Sequence, residues 1–293
     1  MTTVRQLYDL RPELTGVPPQ KDWPTMYDLP SEDPQEPGLP DEFHALQPQL
    51  LSASLLLPNA AKDQVFTGMD LNLYYDRDHP QWHKRPDWFM VTDVPRLYAG
   101  QDLRLSYVVW DEQVVPKVIV ELISPGTQRS DLGQIKRDPD GTPTKWQVYE
   151  QILKVPYYTV YDRYQEQWWV FEWVEGRYQA QSICDDRYWL TELNIGLGLW
   201  QGEYQGITRK WLRWYDAHQK WLPTEAEQQA QNAAAERHRA DIEQRRADAE
   251  QRRADAEQQR AEAEQRRADA EQQRAEKLAD RLRALGIDPS EIE

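Results

Sequence analysis

Short runs rich in β-branched and aromatic residues recur through the middle of the chain. They fall at 64–75 (QVFTGMDLNLYY), 87–92 (DWFMVT), 103–110 (LRLSYVVW), 117–124 (KVIVELIS), 157–162 (YYTVYD), 167–173 (QWWVFEW) and 177–183 (RYQAQSI), each bounded by Pro, Gly or Asp. Such runs predict strands. Two segments carry helical spacing instead. One is 41–57, DEFHALQPQLLSASLLL, with Pro48 interrupting its pattern. The other is 142–155, where Trp146, Val148, Tyr149, Ile152 and Leu153 share a face and Thr142 or Thr144 can cap the start. Strand, helix, strand in that order predicts a mixed α/β sheet with one β-α-β crossover over residues 41–222.

The flanks lack this patterning. Residues 1–40 are rich in Pro, Asp and Glu. Each proline removes a donor and restricts its predecessor, so an extended or partly disordered segment is expected, tacked down by Trp23, Met26 and Tyr27. Residues 223–293 are of low complexity. Ala240, Ala247, Ala254, Ala261, Ala268 and Ala275 recur every seven positions among Glu, Gln and Arg. These are helix formers, and Gly286 is placed to end the helix. A solvated stalk is the plainer expectation for 223–285. Self-association through an alanine seam is the alternative, since nothing larger than Ala lies between Ile242 and Leu278 on a seam that a coiled coil would pack.

Composition narrows the class of protein. The net charge is −15, and both the body and the tail are acidic. The surface as a whole repels nucleic acid and anionic membranes, so an anionic substrate needs a local basic patch. Cys184 is the single cysteine, which fits a reducing compartment. No secretory signal and no window of about 18 apolar residues are apparent. A cytoplasmic chain without a membrane partner is expected.

The chemistry begins with one misplaced charge. Alternation puts Glu121 on the same strand face as Ile119 and Ile123. A carboxylate there costs several kcal/mol unless it is paired or metal-bound. A salt bridge to an arginine at the strand end is the bland explanation. Asp87, at the head of another apolar strand, offers a second one. Two carboxylates on neighbouring strands suit Mg²⁺, which takes one or two carboxylates and keeps several waters. Lys145 follows on the next helix and shares a face with Tyr149. His79 and His83 flank Pro80 and make a poor zinc pair. With Lys84, Arg85, Arg129, Lys136 and Arg137 they form the one local basic grouping.

Pro86-Asp87, then Val120-Glu121-Leu122-Ile123-Ser124-Pro125-Gly126-Thr127, Asp131-Leu132-Gly133, Lys145-Trp146-Gln147-Val148-Tyr149 and Val155-Pro156-Tyr157-Tyr158 resemble the PD-(D/E)xK restriction-endonuclease-like superfamily, and more closely the Uma-two family of bacterial endonuclease-like proteins. The resemblance implies a restriction-endonuclease-like mixed sheet flanked by helices. It implies DNA as substrate and Mg²⁺ or Mn²⁺ as cofactor. Asp87 and Glu121 would hold the metal, with the Leu122 carbonyl completing its shell, and Lys145 would complete the catalytic set. Ile123 stands where the superfamily carries its local lysine, so the lysine is expected on the helix. Lys136 is the fallback, because the insertion at 137–143 precedes Lys145. Glu42 is the upstream helical acid that the superfamily often adds. Asp70, Ser124, Asp131 and Tyr149 are further candidates. A non-catalytic scaffold that uses its C-terminal helix to bind itself or a partner is the rival reading.

Overall fold

The computed structural model describes residues 24–25, 28, 41–124, 127–136, 138 and 141–286. Trp23, Met26 and Tyr27, expected to tack the N-terminal segment down, lie outside them. Within the N-terminal segment the Pro24 carbonyl accepts from the Trp110 indole at 3.1 Å.

A six-stranded mixed sheet has the order β1-β4-β6-β7-β8-β9. Its strands are β1 (Val65–Met69), β4 (Trp88–Thr92), β6 (Val118–Leu122), β7 (Tyr157–Asp162), β8 (Gln167–Val174) and β9 (Arg177–Ala180). Only the central β6–β7 pair is parallel, with Leu122 opposite Tyr161. Two short sheets accompany it. One joins β2 (Leu73–Tyr74) to β3 (His83–Lys84) and β5 (Tyr107–Val108), and the other is the meander β10 (Arg187–Leu190), β11 (Ile195–Tyr204) and β12 (Ile207–Tyr215).

The strands β6 and β7 are buried on both faces, which is why they read as continuous apolar runs. On one face Val118, Val120 and Leu122 pack with Phe43, Leu50 and Leu51 of α1 (Glu42–Ala53) and with Trp211, Leu212 and Trp214 of β12. On the other, Ile119 and Ile123 pack with Val148, Tyr149, Leu153 and Tyr158. Glu121 takes this second face.

Several elements depart from their sequence reading. The run 64–75 is broken at Asp70, which adopts the left-handed φ of 48°. Its N–H is shared between the Pro86 and Asp87 carbonyls at 3.2 and 3.3 Å, so β1 stops there and β2 joins another sheet. The run 103–110 gives only β5 before turning into α2 (Val109–Glu112). The helix expected over 142–155 is a single α-turn, α4 (Lys145–Gln147), running into a π-turn over Val148–Ile152. Thr144 is the cap, closing a reciprocal box with Gln147. The π-turn spreads the helix by about one residue. Ile152 is therefore turned outward, 43% exposed, while Leu153 enters the core. Pro48 is accommodated inside α1.

The strands β11 and β12 were not expected, because Gly196, Gly198 and Gly202 hide the alternation. Gly196 is glycine for contact reasons: a Cβ there would lie 2.0 Å from the Tyr215 ring. The second unit of the chain, from Ala226, is built on α5 (Glu225–Ala284), 60 residues with no buried side chain. A short helix, α3 (Gln128–Asp131), follows β6. Among the described residues no helix is long and apolar enough to cross a membrane.

Candidate active site

The sheet and the crossover bring Asp87, Glu121, Asp131 and Lys145 together. Register places them. Trp88 pairs with Val120 across β4 and β6, so Asp87 stands level with the end of β6. Its Oδ2 accepts from the Leu122 N–H at 2.6 Å. Glu121 is fully buried. The Lys145 ammonium donates to Glu121 Oε2 at 2.9 Å and to Asp131 Oδ1 at 3.0 Å. The Tyr149 hydroxyl donates to Glu121 Oε1 at 2.9 Å. One turn of helix separates Lys145 from Tyr149, so the Thr144 cap and α4 aim both at one carboxylate.

Asp131 is held from the side. Its carbonyl accepts from the Tyr158 hydroxyl at 2.7 Å. Its Oδ2 is buried with no hydrogen-bond partner. That orphaned oxygen is costly to leave unmade and marks a place where a further cation or donor fits. Gly133, at φ +68°, leaves room for the Trp146 ring that backs this loop.

Three carboxylates thus face one ammonium. Burial, together with the charges of Asp131 and Asp87 and against the opposing pull of Lys145, raises the Glu121 carboxyl to about 8. Burial also raises Asp87, to about 6, against the Lys145 charge and the Leu122 N–H. Burial works against the Lys145 ammonium, yet the surrounding carboxylates push its pKa well above the ordinary lysine value. Lys145 is therefore held as the ammonium donor of the cluster.

The remaining candidates divide. Ser124 caps the turn after β6, its N–H donating to Thr127 Oγ1 at 3.1 Å. The Asp70 carboxylate accepts from Arg85 at 2.8 Å and so stands beside the Asp87 backbone without entering the cluster. Glu42 lies on α1, against the opposite sheet face. Lys136 is exposed on the surface. The Leu122 carbonyl faces His44, whose Nε2 is 3.0 Å away. The expected basic grouping is partly neutralised: Lys84 pairs with Asp138 and Arg85 with Asp70. His79 pairs with Asp76 and stacks on Trp82. Arg129 and Lys136 stay exposed, and Arg137 lies outside the described residues.

Among the described residues no three His, Cys, Asp or Glu side chains are arranged to hold a metal ion between them. The donor set is still one a hard cation accepts, two carboxylates on adjacent strands with excess negative charge.

The chain matches a family model, Uma2, described as "putative restriction endonuclease", over residues 21–202. It belongs to the Uma2 family. No curated protein matches the chain. The Uma2 match takes in α1, the whole six-stranded sheet and all four clustered residues, and ends within β11. The tail helix α5 lies beyond it. Restriction-endonuclease-like proteins generally use divalent metals, and the Uma2 assignment supports a nuclease-like activity.

Proposed function

We propose that the protein is a Mg²⁺- or Mn²⁺-dependent endonuclease that hydrolyses phosphodiester bonds in DNA. The observation that carries this reading is the buried convergence of Asp87, Glu121 and Asp131 on the Lys145 ammonium. A structural ion pair would need one carboxylate. Three leave an excess of negative charge that a divalent cation relieves.

In this reading Asp87 and Glu121 would hold the metal. When bound, the metal lowers the pKa of a water and offsets charge on the scissile phosphate. The protein residues do the rest. The Leu122 N–H fixes one Asp87 oxygen. Tyr149 fixes Glu121 from its buried side. Lys145 stays protonated, so it donates to the attacking water or to a phosphate oxygen and offsets developing charge. Asp131 holds Lys145 at that position. DNA reaches the site against an overall negative charge of −15, so exposed cations such as Arg129 and Lys136 serve its approach.

Plasmid nicking with Mg²⁺ tests the proposal directly. Wild type nicks, while Asp87→Asn and Lys145→Met lose at least a hundredfold of the rate, as expected for removal of a group acting on the reacting atoms (about 10²–10³ per group). Equal background from all three sinks it.

A further inference from the structure

A second charged cleft opens at the same edge of the sheet, on the face that α1 covers. Its volume is about 330 Å³, and Asp41, Glu42, Phe43, Arg163, Arg209 and Trp211 line most of it. Arg163 follows the end of β7, one position past Asp162, and β7 ends beside β6. Arg209 comes from β12. The three contributions are far apart in sequence and meet only through the fold.

The cleft is tied to the candidate active site by a chain of hydrogen bonds. The Leu122 residue donates its N–H to Asp87 and offers its carbonyl to His44 Nε2 at 3.0 Å. His44, 2% exposed, sets its Nδ1 2.9 Å from Asp41 Oδ1. Asp41 Oδ2 accepts from Arg163 at 2.6 Å. Both His44 nitrogens thus face oxygen atoms, one on each side of the ring. Burial works against the Asp41 carboxylate, but hydrogen bonds from His44 and the charges of His44 and Arg163 lower it to about 2. Asp41 is thus committed to His44 and Arg163, and Arg163 is held in place.

Arg209 is different. It lies over the Phe43 ring, 4.3 Å from its centroid. Its guanidinium donates to the Arg163 carbonyl at 3.2 Å and contacts the Tyr161 hydroxyl. No carboxylate pairs with it among the described residues. Beside it, Arg163 stacks at 4.3 Å on Tyr164, a ring that is 58% exposed. Two arginines here match Asp41 and Glu42 in number, in a molecule whose surface is otherwise acidic.

We infer that this cleft is a subsite for a backbone phosphate of DNA, flanking the one that is cut. Arg209 contributes a guanidinium that no carboxylate pairs among the described residues, Arg163 a pre-positioned neighbour, and Tyr164 an exposed face for the adjoining nucleotide. Guanidinium groups match phosphate geometry, and fixing them in advance lowers the ordering cost of binding. The inference rests on the nuclease reading above and names where its substrate is gripped.

The test is anisotropy of a fluorescein-labelled DNA duplex in EDTA, so that nothing is cut, titrated with the full-length chain at several salt concentrations. Arg209→Gln is expected to weaken binding about tenfold and to reduce the salt slope by about 1, the value for one lost phosphate contact. Arg177→Gln, an equal charge change on exposed β9, leaves the slope unchanged. Arg209→Lys keeps the charge and the stem over Phe43, so it keeps the slope, and it serves as the probe if the glutamine variant melts early. Equal slopes for wild type and Arg209→Gln overturn the subsite and leave the nuclease reading standing. A lysine variant as impaired in slope as the glutamine variant also overturns it, because Arg209 then acts through packing. A wild-type chain that binds no duplex overturns the subsite, and nicking with Mg²⁺ decides the nuclease reading by itself.

Discussion

Replacing Glu121 by glutamine distinguishes a metal site from an ordinary ion pair. A carboxyl whose folded pKa is raised destabilises the fold as it ionises. The penalty is absent below the unfolded value of 4.5, grows as pH rises, and is complete above about 8. Each tenfold change in proton affinity is worth about 1.4 kcal/mol, so the metal-free protein carries a burden of roughly 4 kcal/mol at pH 8 from this group. Glutamine removes the charge and keeps an oxygen for the Lys145 ammonium, while Tyr149 can turn its hydroxyl to accept. Allowing half the gain for the imperfect fit of an amide leaves about 2 kcal/mol of stabilisation. For a domain of this size that is an increase of about 4–8 °C in midpoint. The assay is calorimetric melting of metal-stripped wild type and Glu121→Gln at pH 5 and pH 8, each with and without saturating Mg²⁺. Wild type is expected to lose stability between the two pH values and to regain it with Mg²⁺. The variant is expected to melt higher than wild type at pH 8 without metal, to be nearly indifferent to pH from this source, and to lose most of the Mg²⁺ response. A variant that melts lower than wild type at pH 8 would refute the reasoning. It would mean that Glu121 is a net stabilising counter-ion of Lys145 and no metal ligand.

Further outcomes follow from the same geometry. Tyr149→Phe removes one buried hydrogen bond to Glu121 and should cost about 1–2 kcal/mol in urea melts, with reduced nicking by a chain that still folds. Thr144→Ala breaks the capping box that launches Lys145 and should cost about 1 kcal/mol, with a loss of rate larger than the loss of stability predicts. Asp131→Asn should lower the salt-bridge support of Lys145 and reduce kcat while leaving KM near wild type, read from steady-state nicking. A chain ending at residue 224 should melt at the same temperature as the full chain, because α5 buries no side chain, and sedimentation equilibrium of the two forms decides whether the tail assembles them.

How much of this was legible in the sequence depended on whether a residue's partner was close along the chain. The two-face burial of β6 and β7 was written into 117–124 and 157–162 as unbroken apolar runs. Glu121 was conspicuous because it interrupted one of them. Lys145 and Tyr149 were one helical turn apart, so their shared target followed. Asp131 appeared only as part of a matched motif, since its contact with Lys145 depends on how the loop after β6 folds back. The β11–β12 hairpin was missed because Gly196 exists to receive the Tyr215 ring from a strand that sequence reading had not placed. The π-turn was missed because a helical periodicity cannot show an added residue. The arginine cleft was out of reach altogether: Asp41, Arg163 and Arg209 carry no common pattern, and each alone is an ordinary surface charge.

The tail helix has a consequence for how this chain can vary. Its hydrogen bonds repeat in register: Gln244 to Asp248, Gln251 to Asp255, Gln258 to Glu262, Gln265 to Asp269 and Gln272 to Glu276, all within a single helix. Each glutamine finds its acid four residues on, so every seven-residue unit offers the next the same partner. Gain or loss of one unit, the commonest accident of a repetitive gene, would change the helix by about 10 Å without opening a cavity or orphaning a donor. At 60 residues the helix is about 90 Å long. It is therefore a length that selection can adjust in fixed steps, independently of the chemistry at the other end of the sequence.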